Sequence, residues 1–102
     1  GKTEHRDVAF NKAIESAGDK TVVVDFWMHQ CPPCRMLSPE LEQLAVDQKD
    51  RVVVLKVNAH EQSDLSRHFR VGGVPDLRLF RNGKAIGSLA GFHTKDEIEA
   101  RL

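Results

Sequence analysis

The stretch Val24–Leu37 reads VDFWMHQCPPCRML and holds both cysteines of the chain, Cys31 and Cys34, with two prolines between them. It begins inside TVVVDFW (21–27), β-branched and almost continuously apolar, as a strand buried on both faces should be. From Cys31 to about Gln48 the pattern becomes helical, with Met36, Leu37, Leu41, Leu44 and Ala45 on one stripe. Pro39 falls inside that helix and should bend it, because it lacks an N–H and crowds the carbonyl four residues back. The two thiols therefore stand where a buried strand gives way to a helix.

Outward from this point the chain reads as a regular succession of short elements. DVAFNKAIESAG (7–18) spaces Val8, Phe10, Ala13, Ile14 and Ala17 along one helical face and ends at Gly18. RVVVLKVN (51–58) is a second buried strand, and SDLSRHF (63–69) a short helix capped by Ser63. DLRLF (76–80) alternates as a third strand with one wetter face, and RNGK (81–84) is a hairpin turn into a fourth strand, AIGSLAG (85–91). Thr94 with Glu97 three residues later makes a capping box for a last helix. The predicted order is α-β-α-β-α-β-β-α. Strands joined through helices are expected to be parallel and the final hairpin antiparallel, giving an α/β fold with a mixed sheet covered by helices on both faces.

Composition narrows the function. The chain has 102 residues, the scale of one compact domain, and its 15 basic and 15 acidic side chains cancel, so no basic face for nucleic acid is implied. No apolar run is long enough to cross a bilayer. The chain begins at Gly1, not Met, which leaves room for a removed leader, an upstream domain or a tag.

Three readings of the cysteine pair compete. A structural zinc site needs four Cys or His ligands, usually as two close pairs, and His5, His29, His60, His68 and His93 include no short pair to complete it. A purely structural crosslink between residues three apart closes a tiny loop and restricts the unfolded chain little. The redox reading explains the flanking sequence. With Cys31 ending the loop and the helix starting at Pro32, the Cys31 sulfur sits at the positive end of the helix dipole, within reach of the Cys34 N–H; both effects favour thiolate. Cys34, one turn in, should be shielded and keep its proton. Cys31 then attacks and Cys34 resolves the mixed disulfide. Pro32 and Pro33 stiffen the loop and remove two amides that would otherwise face the sulfur, altering the redox poise.

VDFW followed by CxxC, a basic residue, a Pro inside the next helix, LKVN, VGGVP, LFRNG and a late AG occur here in the order and spacing of the thioredoxin family, over about residues 7 to 102. The chain resembles that family. The resemblance implies the thioredoxin fold and a thiol–disulfide oxidoreductase, most directly a protein-disulfide reductase using a Cys31–Cys34 redox disulfide. Disulfide oxidase or isomerase, or a redox-weak client-binding holdase module, are the alternatives. It implies that Asp25, an acid expensive to bury ionised, passes a proton to or from Cys34, with Lys56 near that carboxylate. It implies that Pro75 is the cis-proline beside the disulfide, and that Gly73 and Val74 with it present an open backbone edge to a client's extended segment. Trp27, Ala90 and Gly91 match other parts of that groove. The implied partners are disulfide-containing clients and a thioredoxin reductase or other thiol donor. A monomer without bound cofactor or metal is expected, in the cytoplasm, or exported if a leader was removed.

The departures are informative. Gln30 stands where the family usually carries Trp, and CPPC replaces CGPC, similar in this to tryparedoxin-like and membrane-anchored thiol reductases. Asp76 follows the expected cis-proline in place of Thr; a second carboxylate there is expected to oppose thiolate formation and repel acidic clients. Met28 and His29 beside the thiols are also unusual, His29 being read as a solvated loop histidine. The N-terminal KTEHR lacks the pattern of the family's first strand, which is expected to be short, missing or trimmed, within a single domain spanning 1–102.

Overall fold

A computed structural model describes residues 7–102, so the expected weak first strand falls outside the described residues. Asp7 caps the first helix, α1 (Val8–Ser16), its Oδ1 accepting the Phe10 N–H at 2.8 Å. Phe10 and Ile14 are buried from it, whereas Val8, expected on the same face, is exposed. Gly18 takes φ +62 and ends the turn, as a residue without Cβ does readily.

The succession then follows the sequence. Strand β1 is Thr21–Trp27, helix α2 Pro32–Asp47, strand β2 Val52–Asn58 and helix α3 Ser63–His68. Strands β3 (Asp76–Arg81) and β4 (Lys84–Ala90) form the hairpin, and α4 (Lys95–Glu99) closes the described chain. Asn82 and Gly83, with φ of 52 and 78, make its two-residue loop, the left-handed pair that matches the twist of the strands. The Thr94–Glu97 capping box is present in both directions.

Three expectations need correction. Met36 is solvent-exposed: Leu37, Leu41 and Leu44 define the buried face of α2, and a residue beside Leu37 is turned about 100° away from it. Ser63 is already helical; Gln62 occupies the N-cap and no side chain caps that end. The third is topological. The sheet runs β2-β1-β3-β4, with β1 and β2 parallel but β3 antiparallel to β1, although a helix joins β2 to β3. A seven-residue strand spans about 23 Å, and six-residue α3 rises only about 9 Å, so the connection turns round at one end of the sheet without traversing it.

Side chains of alternate strand residues feed two cores. Val23, Leu77, Leu79 and Leu89 meet α2 and α4 on one face; Val22, Val24, Phe26 and Phe80 meet α1 and α3 on the other. Neither cluster includes Cys31 or Cys34. Both faces of β1 are covered, which explains its nearly continuous apolar run, broken within by Asp25. In contrast, β2 is the edge of the described sheet, with Val53–Leu55 half-buried and Lys56 exposed.

Candidate active site

The candidate site residues gather toward the end of the sheet where β1 finishes. Asp76, at the start of β3, is in register with Phe26 on one side and Ala90 on the other, so the β1–α2 loop, the turn before β3 and the end of β4 converge. Gln30, at φ 58, turns the chain from β1 toward α2. Cys31 follows in extended conformation as the N-cap of α2.

The Cys34 amide donates to Cys31 Sγ at 3.2 Å. Pro32 and Pro33 have no N–H, so this is the first amide of α2 able to donate, and it is aimed at the sulfur. The sulfur also meets the positive end of a 16-residue helix. The two cysteines are joined as a disulfide with Cα atoms 5.2 Å apart. In this oxidised form they are 9% and 8% exposed, so the expected difference in shielding does not appear; their asymmetry is one of position, Sγ of Cys31 taking the hydrogen bond.

Opposite the disulfide, the Val74 carbonyl oxygen lies 3.9 Å from Cys31 Sγ, and the Val74–Pro75 peptide is cis. Gly91, at φ +82, donates its N–H to the Pro75 carbonyl at 2.8 Å, tying the end of β4 to this turn. Gly73 and Ala90 are exposed, Val74 and Gly91 half-buried. Trp27 is half-buried, with His29 edge-on at 4.8 Å between ring centres.

Asp25 sits on the α2 face of β1, only 3% exposed, opposite Lys56 of β2 and Leu77 of β3. Burial pushes its carboxyl up from 3.8 to about 6, against the opposing pull of the Lys56 charge. Its Oδ1 finds no hydrogen-bond donor among the described residues. Lys56 Nζ donates to Ser38 Oγ at 3.1 Å. A cleft of about 250 Å³ is lined by Asp25, Trp27, Cys34, Ser38 and Lys56, which puts the acid and the inner cysteine on one small cavity. Ser38 is a residue the sequence reading passed over; its position four after Cys34 on one helix is the signal that puts both on the same side.

Asp76 requires a correction. It is buried, but Arg78 grips its carboxylate with two nitrogens, Nε at 2.7 Å and Nη2 at 3.1 Å. Alternation along β3 turns this pair to the α1–α3 face, away from the face of Asp25. Its negative charge is thus paired with a guanidinium, which counters the expected opposition to a thiolate and to acidic clients. Arg78 was the missed residue here, and the two-residue spacing along a strand was its signal.

Among the described residues no group of three or more His, Cys, Asp or Glu side chains is placed to hold a metal ion, and no helix is long and apolar enough to cross a membrane.

The family model described as Thioredoxin matches residues 2–102. A thioredoxin of Alicyclobacillus acidocaldarius is 41% identical over 96 residues, covering 94% of this chain and 90% of that protein. Among solved structures, the germline-specific thioredoxin Deadhead of Drosophila melanogaster superposes with a TM-score of 0.82 at 27% identity, over 89% of this chain and 86% of that one. The thioredoxin of Malassezia sympodialis gives 0.77 at 32% identity, over 89% and 80%.

Proposed function

The chain belongs to the thioredoxin family and is a thiol–disulfide oxidoreductase, a protein-disulfide reductase working by dithiol exchange, and from that premise we propose how its residues divide the work. In the reduced protein Cys31 is the nucleophile. Its thiolate attacks one sulfur of a client disulfide; that S–S bond breaks, a Cys31–client disulfide forms, and the other client sulfur leaves as thiolate and takes a proton. Cys34 then loses its proton to the Asp25 carboxylate across the shared cleft and attacks Cys31 Sγ. The mixed disulfide breaks, the Cys31–Cys34 disulfide forms, and the client leaves with both sulfurs reduced. Two electrons pass from the protein dithiol to the client, and a thioredoxin reductase or other thiol donor returns them.

Lys56 holds the Asp25 proton affinity near the working range by its opposing charge. The client's extended segment pairs with the backbone of Gly73, Val74 and cis-Pro75, flanked by Trp27, Ala90 and Gly91. The CPPC sequence leaves Cys34 N–H as a single helix-end donor to the thiolate. We assign residues 1–102 to one such domain, acting as a cytoplasmic monomer on proteins, not on nucleic acid.

The observation that carries this reading is the Cys34 amide aimed at Cys31 Sγ from a helix end whose two preceding residues cannot donate. The test is insulin reduction with dithiothreitol. The protein is expected to accelerate precipitation above the dithiothreitol control, and Cys31→Ser to abolish the acceleration. Cys34→Ser should accumulate clients as mixed disulfides with Cys31. Equal rates for wild type and Cys31→Ser would refute the assignment. Client capture that survives replacement of both cysteines would instead point to the holdase alternative.

A further inference from the structure

We propose that Arg78 is a positioning residue for disulfide exchange: by gripping the Phe69 carbonyl and the Asp76 carboxylate together, it fixes both ends of the segment whose backbone lies against Cys31. The proposal rests on the reading of Val74–Pro75 as the client-binding edge.

Three nitrogens of one guanidinium are engaged. Nε and Nη2 hold the Asp76 carboxylate, and Nη1 donates to the Phe69 carbonyl at 2.7 Å. Phe69 is the C-cap of α3, and its ring is packed among Phe10, Phe26 and Phe80, so that carbonyl belongs to a fixed part of the fold. Asp76 opens β3, directly after cis-Pro75. The residues between the two anchors, 70–75, are those that pass the disulfide, including Val74 with its carbonyl 3.9 Å from Cys31 Sγ.

The segment needs anchoring. Gly72 and Gly73 are adjacent and exposed, with nothing within 4 Å of where a Cβ would stand, so the backbone there has more freedom than any other residue type would allow. A planar guanidinium with donors in a rigid fork suits the task in a way that a point charge does not. The pair is also sheltered, with side chains 21% and 11% exposed, so the bonds are little weakened by competing water. A role confined to neutralising Asp76 needs only the carboxylate bonds; the third bond, across nine residues to the end of α3, is what makes Arg78 a brace.

The test compares the full chain with two variants. Asp76→Thr/Arg78→Leu removes both charges together and so avoids stranding a buried carboxylate. Arg78→Lys keeps the charge and loses the fork. Each is assayed on insulin, which must lie along the backbone edge, and on 2-hydroxyethyl disulfide, which is too small to do so, with thermal unfolding as a check of folding at the assay temperature. For the double variant, KM for insulin is expected to rise roughly three- to tenfold, the equilibrium worth of about one main-chain hydrogen bond, while kcat and the small-disulfide rate stay within about twofold. Arg78→Lys should fall between it and wild type. An unchanged insulin KM in a folded variant, or equal losses on both substrates, would overturn the proposal; should the double variant not fold, Arg78→Lys alone decides by the same criteria. A wild-type protein inactive on both disulfides would instead refute the reductase assignment itself.

Discussion

Replacing Asp25 by asparagine should make the protein more stable, and by an amount that depends on pH. In the folded state the carboxyl is 3% exposed and protonates at about 6, compared with 3.8 for an unperturbed aspartate. Above both values the folded protein must hold a charge that the unfolded chain holds in water. With each tenfold of proton affinity equal to about 1.4 kcal/mol, the difference corresponds to a destabilisation of about 3 kcal/mol. The sign follows from proton binding: a raised folded pKa means that folding takes up a proton between the two values, so stability is highest below 3.8 and declines as pH rises through about 6. The substituted amide carries no charge and escapes this decline. Urea unfolding of the oxidised proteins from acid to mildly alkaline pH is the assay, because the other carboxylates titrate alike in both and cancel in the difference. The stability gap should be near zero at the acid end, open between 3.8 and 6, and level off near 3 kcal/mol above about pH 7. A gap that is flat with pH, or an Asp25→Asn variant less stable than wild type at about pH 8, would refute the burial argument.

Three further outcomes follow from the same geometry. Lys56→Met removes the charge that pulls the Asp25 carboxyl down, so its titration, followed by carboxyl-carbon NMR, should move above about 6; a downward move would mean another group sets it. Lys95 bridges Asp47 of α2 and Glu99 of α4; its hydrogen bond holds the Asp47 carboxyl below the ordinary 3.8, while Gln48 first and Lys95 second hold that of Glu99 below 4.5. The stability they add is present above those values and lost as pH falls through the lowered ones, so Lys95→Met should weaken the protein to urea at about pH 6 and little at about pH 2; equal effects at both would exclude the ion pairs as cause. Thr94→Ala breaks the capping box and should lower the unfolding free energy by about 1 kcal/mol, read from the urea midpoint at constant slope.

What could be read from the sequence was what neighbours in the chain decide. Asn82–Gly83 supplies its own left-handed turn, Thr94 and Glu97 satisfy each other's amides, and Cys31 finds the Cys34 N–H three residues on; none of these depends on the rest of the fold. The resemblance to thioredoxins added Pro75 as a cis residue, which no local signal carries. Most of the misreadings concern how elements pack against one another; Ser63, taken as a cap and found inside α3, is a local one. That β3 runs against β1 depends on how far α3 reaches. That Asp76 is neutralised depends on an arginine two residues along the same strand, which the alternating pattern offered but which only the buried face made necessary. That Met36 stays in water depends on which turn of α2 meets the sheet. Ser38 was hidden for the same reason, since nothing about a helical serine announces that a strand lysine will reach for it.

The cysteine pair lies outside both apolar clusters, and the bond between its members spans a single helical turn. Closing so small a loop restricts the unfolded chain less than closing a long one would, so the bond is placed for chemistry more than for bracing the fold. Each cycle resembles charging a cell at its terminal: electrons arrive and depart at one tip, outside the two apolar clusters.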